Sequence, residues 1–259
     1  MNAAAIHLEE INMTTRHNHP TRRRAFLQAA AATALIGSLP FAAFAQTAGT
    51  KYKIGIIGSG KVGSAIGGAW IKAGHEVMFS SLDLEADKKL AASLGGKASA
   101  GTTREAAAFG SVLLVSVPYT AIPAIGRELG DAIKGKIIID TSNPIVARDG
   151  EVAAAAREKG VGIATAEYLP GTRIVRAFNA IGAAKMAEAA NKGGERIGMP
   201  IASDDASAVG IASALIRDVG YEPVLVGTLA AMGKYLIPGT PLAGERSADE
   251  IRKIAATLK

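Results

Sequence analysis

The chain has 259 residues, 49% of them hydrophobic and 20% charged, with 29 Lys and Arg against 23 Asp and Glu. Cysteine is absent, which excludes disulfides, thiolate nucleophiles, thiolate metal sites and cysteine-ligated iron–sulfur clusters. The basic excess is modest and scattered and only 5% of residues are aromatic, so no nucleic-acid surface is expected.

The amino terminus reads as an address rather than as part of the fold. Arg22-Arg23-Arg24-Ala25-Phe26-Leu27 has the twin-arginine pattern, followed by an alanine-rich stretch over 29–44 interrupted by Gly37 and Pro40. Ala43-Phe44-Ala45 closes it as a small-x-small cleavage site, so the mature chain is expected to begin near Gln46, in the periplasm. The twin-arginine export machinery is the implied partner, and either Met1 or Met13 serves as the start. The proline and the modest hydrophobicity argue against an uncleaved membrane helix, and nothing after residue 45 is apolar for long enough to span a bilayer. Without residues 1–45 the chain holds 25 Lys and Arg against 21 Asp and Glu. What remains is enough for one sizeable core with an appendage. The expected organisation is a signal peptide over 1–45, a dinucleotide-binding domain over 50–180 and a smaller acceptor or dimerisation region over 181–259.

The first strand of the mature part, Lys53-Ile54-Gly55-Ile56-Ile57, runs into Gly58-Ser59-Gly60-Lys61-Val62-Gly63. Val62, Ala65, Ile66, Ala69 and Trp70 then fall on one helix face, Gly74 stops the helix, and a second strand spans His75–Ser81. Strand, G-x-G-x-x-G, helix and strand at this spacing form a βαβ unit that holds the pyrophosphate of a dinucleotide. Gly58 permits the tight turn, Gly60 lets the phosphates approach the backbone, and Gly63 lets helix and strand pack closely. The helix amino terminus presents unpaired N–H groups to the anion.

An NAD site usually places a carboxylate at the end of the second strand, where it repels a 2′-phosphate. Here Ser80 and Ser81 occupy that position, neutral and able to donate, with Lys88 and Lys89 a turn or two beyond. Asp83 weighs the other way. NADP(H) is the expected cofactor.

Three further apolar runs follow. Ser111–Pro118, Lys136–Asp140 leading into Thr141-Ser142-Asn143-Pro144, and Arg173–Ala177 ending at Phe178-Asn179 read as buried parallel strands. Separated by helical stretches, they indicate an α/β Rossmann fold with a doubly wound, mostly parallel sheet. Ligands of such sheets bind outside the carboxyl ends of the strands. Ser116, Val117, Pro118, Asn143, Pro144, Ala177, Phe178 and Asn179 are therefore expected to line one crevice with the glycine loop.

Beyond residue 180 a small C-terminal α/β extension is expected. A strand at Ile197–Ser203 leads to Asp204-Asp205 and a helix ending near Gly220, and a strand at Pro223–Gly227 follows. Ser247-Ala248-Asp249-Glu250 has the form of a capping box. Leu229–Leu242, apolar and containing Pro238-Gly239-Thr240-Pro241, is either the wall of an acceptor pocket or a subunit contact.

These residues together resemble the deazaflavin-dependent NADP reductase family. The resemblance rests on Ile54–Gly63, Ala73-Gly74-His75-Glu76-Val77, Ile139–Pro144, Leu169-Pro170-Gly171, Val175-Arg176-Ala177-Phe178-Asn179, Ser203-Asp204-Asp205 and Leu215–Pro223. It covers most of residues 52–228. It implies hydride exchange between NADP and a flavin-like coenzyme, flavin or deazaflavin, and a homodimer. Where the family often has Ser-Arg to hold the 2′-phosphate, this chain has Ser80-Ser81, and the stretch after Gly227 departs from the pattern.

No catalytic residue and no metal ligand is assigned. The one histidine after the leader, His75, sits in a helix-to-strand turn and reads as structural. Tyr119, Lys234 and Tyr235 are the conceivable proton donors if the substrate is an imine or a hydroxy acid, and a non-catalytic dinucleotide-binding role is a further alternative. Hydride transfer to a flavin-like ring needs alignment and dryness more than a protein acid, and a ferric acceptor is the other expected partner.

Overall fold

A computed structural model describes residues 49–189 and 194–258. The twin-arginine motif and the cleavage site at Ala45-Gln46 lie outside them. In chain order the elements are β1 (Lys53–Ile57), α1 (Lys61–Lys72), β2 (Glu76–Ser80), α2 (Leu84–Leu94), β3 (Ala98–Ala100), α3 (Thr103–Phe109) and β4 (Val112–Val115). Then come α4 (Ile122–Leu129), β5 (Ile137–Asp140), α5 (Val146–Lys159), α6 (Val161–Tyr168), β6 (Arg173–Arg176) and α7 (Ala183–Ala189). The last are β7 (Gly198–Ser203), α8 (Ala206–Asp218), β8 (Glu222–Gly227), a single turn α9 (Leu229–Met232) and α10 (Ala248–Thr257). No helix among the described residues is long and apolar enough to cross a membrane.

All eight strands form one sheet in the order β3-β2-β1-β4-β5-β6-β7-β8. Pairing is parallel except between β6 and β7. This is a Rossmann-like α/β sheet, as the alternation of buried apolar runs and helices implies. The chain winds outward through β2 and β3, then returns to the other side of β1 with β4. That reversal opens a crevice between the carboxyl ends of β1 and β4. β3 has no counterpart among the apolar runs of the sequence, because Ala-Ser-Ala is too short and too small to carry a strand pattern. The carboxyl-terminal pair β7–β8 continues the same sheet.

Helices cover both faces. On one, Ile54, Ile56, Ile66, Trp70, Phe79, Ile139, Val175 and Leu215 are buried together. Trp70 Nε1 donates to the Leu215 carbonyl at 2.8 Å, which fastens α1 to α8. On the other, Leu113, Val115, Tyr119, Ile138, Val161 and Leu169 pack with Leu229 and Ile237. A third cluster joins Met232, Leu236 and Leu242 to Val224 and Ile251. The large apolar side chains of Leu229–Leu242 thus fill the protein's own core.

Helix starts follow local chemistry. Thr102 and Ser247 cap α3 and α10 with complete capping boxes to Glu105 and Glu250. Asp83 and Asp205 cap α2 and α8 by accepting the Ala86 and Ala208 N–H groups.

Candidate functional site at the carboxyl edge of the sheet

Strand register sets the site. Ser80 pairs with Ile57, Ile57 with Val115, Val115 with Asp140, and Asp140 with Arg176. The residues that follow each strand therefore leave the sheet along one line. These are Ser81, Gly58, Ser116, Thr141 and Ala177.

Gly58 turns the chain with φ +98°, and a Cβ there would lie 2.2 Å from the Ser116 carbonyl oxygen. Its N–H and that of Ser59 donate to the Ser80 carbonyl at 2.9 and 3.2 Å, so the loop is strapped to β2. A Cβ on Gly63 would lie 2.1 Å from the Gly58 oxygen, whereas one on Gly60 would meet nothing within 4 Å. Gly58 and Gly63 are thus required by the protein itself, and Gly60 faces open space. α1 begins at Lys61 with Gly60 as its N-cap and no side-chain cap. Its first-turn N–H groups, those of Lys61, Val62 and Gly63, point into that space with the positive end of the helix dipole. Such a cradle fits a pyrophosphate.

The neighbouring strand ends are tied to each other. Ser116 N–H donates to the Ile57 carbonyl at 2.8 Å and Thr141 N–H to that of Val115 at 3.0 Å. Val117 N–H reaches Ser142 Oγ at 3.4 Å. Asn143 Nδ2 donates to the Asn179 carbonyl at 2.9 Å, and Asn179 Nδ2 to the Ser142 carbonyl at 3.2 Å. The other amide atoms, Asn143 Oδ1 and Asn179 Oδ1, are buried without a hydrogen-bond partner. An orphaned buried acceptor costs about 1–3 kcal/mol. Between the two asparagines Phe178 takes φ +65°, the one positive value among described non-glycine residues, with its ring packed edge-on to Tyr221. Backbone strain of this kind concentrates at functional sites.

Of the residues singled out in sequence, Gly58–Gly63, Ser81, Ser116, Val117, Pro118, Asn143 and Asn179 come together along this edge. Pro144, Ala177 and Phe178 are buried beneath it. Ser80 faces inward: it is fully buried, and its hydroxyl donates to the Ile56 carbonyl at 2.7 Å.

The sequence reading gives no site role to three residues of this edge. Asp140 and Arg176, both wholly buried, form an ion pair under the strand ends. Asp140 also accepts from Ser142 N–H at 2.8 Å and from Thr165 Oγ1 at 3.1 Å. Arg176 Nη2 donates to the Leu236 carbonyl at 3.1 Å, which binds the segment after β8 to the sheet. The third is Asp87, 1% exposed in the first turn of α2, which accepts from Ser81 Oγ at 2.8 Å and from Ser59 Oγ. Lys88 points elsewhere, to Glu85 at 2.8 Å.

The conceivable proton donors are not gathered here. Tyr119 is fully buried, its hydroxyl 3.0 Å from Thr165 Oγ1, and burial pushes its pKa well above the ordinary phenol value. Lys234 is exposed, with Nζ over the Tyr235 ring at 5.0 Å. His75 is wholly buried at the opposite edge of the sheet. Its Nδ1 accepts from Tyr52 N–H at 3.1 Å and its Nε2 lies 2.9 Å from Asp218.

Residues 53–144, from β1 through the turn after β5, match the family model of the NADP oxidoreductases described as coenzyme F420-dependent. The structure is similar to that of a hypothetical protein from Sinorhizobium meliloti, 27% identical, with a TM-score of 0.66 over 75% of this chain and 95% of that one. It also shares its fold with a putative F420-dependent NADP reductase from Arthrobacter, 19% identical, TM-score 0.60, over 71% and 90% of the two chains. An imine reductase from Myxococcus stipitatus in complex with NAD+ is 18% identical, TM-score 0.52, over 81% of this chain and 60% of that one. No curated protein is significantly similar in sequence.

Proposed function

Starting from a domain of the F420-dependent NADP oxidoreductase family at residues 53–144, we propose that the protein is an oxidoreductase. It passes hydride between a nicotinamide dinucleotide and a flavin-like ring, deazaflavin or flavin; with a ferric acceptor the same two electrons go to two Fe(III) centres, one each, and the proton is released. NADP(H) is the dinucleotide that the family description names. The observation that carries this reading is the cradle of Gly58, Gly60 and Gly63 facing the unpaired N–H groups of α1, set at the switch point of the sheet.

The chain's own residues suit that role. Gly60 leaves room for the phosphates, and the first turn of α1 supplies donors and positive potential for them. Ser116, Val117 and Pro118 border the path toward β5 and β6. The orphaned Oδ1 atoms of Asn143 and Asn179 offer acceptors to a carboxamide N–H that reaches them. The bound dinucleotide supplies the hydride. Ring-to-ring transfer asks the protein for alignment and exclusion of water. That matches an edge where Tyr119 is locked beneath the surface and His75 lies at the other end of the strands.

The remaining features complete the proposal. Residues 1–45 direct twin-arginine export with cleavage near Ala45-Gln46, residues 50–180 hold the dinucleotide, residues 181–259 serve the acceptor side or dimerisation, and the mature protein works as a homodimer in the periplasm. Fractionation with amino-terminal sequencing of the periplasmic form tests the export, and a cytoplasmic protein with an intact leader contradicts it.

For the activity, the protein is charged with 4-deuterated NADPH, and a deazaflavin, a flavin, a ferric chelate and a cyclic imine are offered in turn. Deuterium at C5 of the deazaflavin, or rapid NADPH oxidation by the flavin or the chelate, is the expected result. Transfer only to the imine, with loss of rate in Lys234→Ala, replaces this reading with that of an imine reductase. Tight binding with no transfer to any of them leaves a binding protein.

A further inference from the structure

Asp87 lies at the ribose end of the crevice and has no part in the cradle. Its two carboxylate oxygens each accept a hydroxyl, one from Ser59 in the glycine loop and one from Ser81 at the end of β2. Both serines are half-buried and reach the surface of the crevice, whereas Asp87 beneath them is 1% exposed. A serine hydroxyl has one proton and two lone pairs. The Ser81 proton also faces the Asp83 carbonyl at 3.3 Å, but the carboxylate at 2.8 Å is the nearer and stronger acceptor. With both protons held by Asp87, the serines keep only lone pairs for a ligand. Ser59 Oγ keeps two, and Ser81 Oγ keeps one because the Asp83 N–H takes the other at 3.1 Å.

This polarity discriminates between the two dinucleotides. A ribose 2′-hydroxyl has a proton to donate to such an acceptor. A 2′-phosphate is anionic, offers acceptors to acceptors, and meets a carboxylate just below. The third serine, Ser80, donates to the Ile56 carbonyl inside the sheet and is closed to either ligand. Lys88 is paired with Glu85, and Lys61 and Lys89 are solvated amines whose attraction for a phosphate is weak.

Granted a dinucleotide in the crevice, as proposed above, we infer that Asp87, acting through Ser59 and Ser81, opens this site to NAD(H), which binds at least as tightly as NADP(H). Asp87 is a positioning residue. It supplies at one remove the carboxylate that β2 itself lacks, and converts two serines that read as phosphate donors into acceptors for the ribose.

Separate titrations of NADH and NADPH into the purified protein, followed by nucleotide fluorescence, test this. In the wild type the Kd for NADH is expected to equal or fall below that for NADPH. In Asp87→Asn one serine proton is freed and a negative charge removed, so the ratio moves toward NADPH by about tenfold. Ser81→Ala, at a half-exposed position that does not threaten folding, weakens NADH more than NADPH. A wild type that prefers NADPH, or variants in which both affinities change by the same factor, overturns the assignment. Preference for NADPH leaves the dinucleotide reading intact and removes this inference alone. Binding of neither nucleotide removes both.

Discussion

The two edges of the sheet are built from similar parts and do different things. A cavity of about 570 Å³ lies at the amino edge, lined by Lys51, Gly74, Glu76, Lys97 and Phe109 among others. Its lysines are already engaged: Lys51 Nζ donates to the Ala73 carbonyl at 2.6 Å and Lys97 Nζ to that of Gly74 at 2.8 Å. At the carboxyl edge the balance is reversed. There the helix start leaves its donors free, two amide oxygens lack partners, and the backbone at Phe178 is strained. The lysines of the concave surface fasten the protein's own turns, whereas the carboxyl edge leaves the first-turn donors of α1 unpaired beside an open glycine loop.

Strand β6 carries the same contrast, with an Arg–Asp pair at each end. Arg176 and Asp140 at the carboxyl end are both wholly buried, while Arg173 and Asp205 at the amino end are each one-third exposed. Removing one partner of a buried pair leaves the other charge uncompensated. Arg176→Ala is therefore expected to cost about 3–5 kcal/mol, measured by urea denaturation. A cost below about 1 kcal/mol would show that the pair is not the anchor beneath the crevice.

Gly58→Ala comes next in size. It places a Cβ 2.2 Å from the Ser116 oxygen at φ +98° and forces the loop out of its turn. Dinucleotide affinity should fall by about 5- to 150-fold, since strain of this kind costs about 1–3 kcal/mol. Isothermal titration alongside a melting curve separates loss of the site from loss of the fold.

The amino-end pair gives a smaller, pH-dependent effect. Hydrogen bonds from Arg173, then from the Ala208 N–H, hold the Asp205 carboxyl well below the usual carboxylate range. Its contribution is thus complete above the unfolded-state value near 3.9, and is lost as pH falls toward the lower folded value. Asp205→Asn keeps the helix cap but loses the charge, which is worth about 0.2–1 kcal/mol at neutral pH for a partly exposed pair. The variant should lose less stability than the wild type when the pH drops below 4. Lys97→Ala is the smallest change, within about 0.5 kcal/mol, with dinucleotide affinity unaltered. An altered affinity there would move attention to the amino edge.

How much of this was legible in the sequence depended on whether the signal was local. The glycine loop, the apolar strands and the turns after them have periodicities or spacings that read directly. Register then did the rest, because parallel strands of similar length must end together, bringing Ser116, Asn143 and Asn179 beside Gly58. Side chains whose partners lie far along the chain were not legible. Arg176 reaches Asp140 across 36 residues and the Leu236 carbonyl across 60. Asp87 belongs to an ordinary helical first turn, and only the fold places it under Ser59, 28 residues earlier. The serines themselves were visible, but the direction of their protons was not, and that direction decides whether a phosphate or a hydroxyl is welcome. Asp83 looked like the acidic residue that mattered; it is the cap of α2.

The measurement that bears most directly on the account is an amide map of the labelled protein with and without saturating dinucleotide, by NMR. The account predicts that shifts and exchange protection concentrate at Gly60, Lys61, Val62 and Gly63, with weaker changes at Ser116, Asn143 and Asn179, while Gly74, Lys97 and Phe109 stay unchanged. Changes confined to the amino-edge residues, with the amides of Gly60–Gly63 untouched, would contradict it.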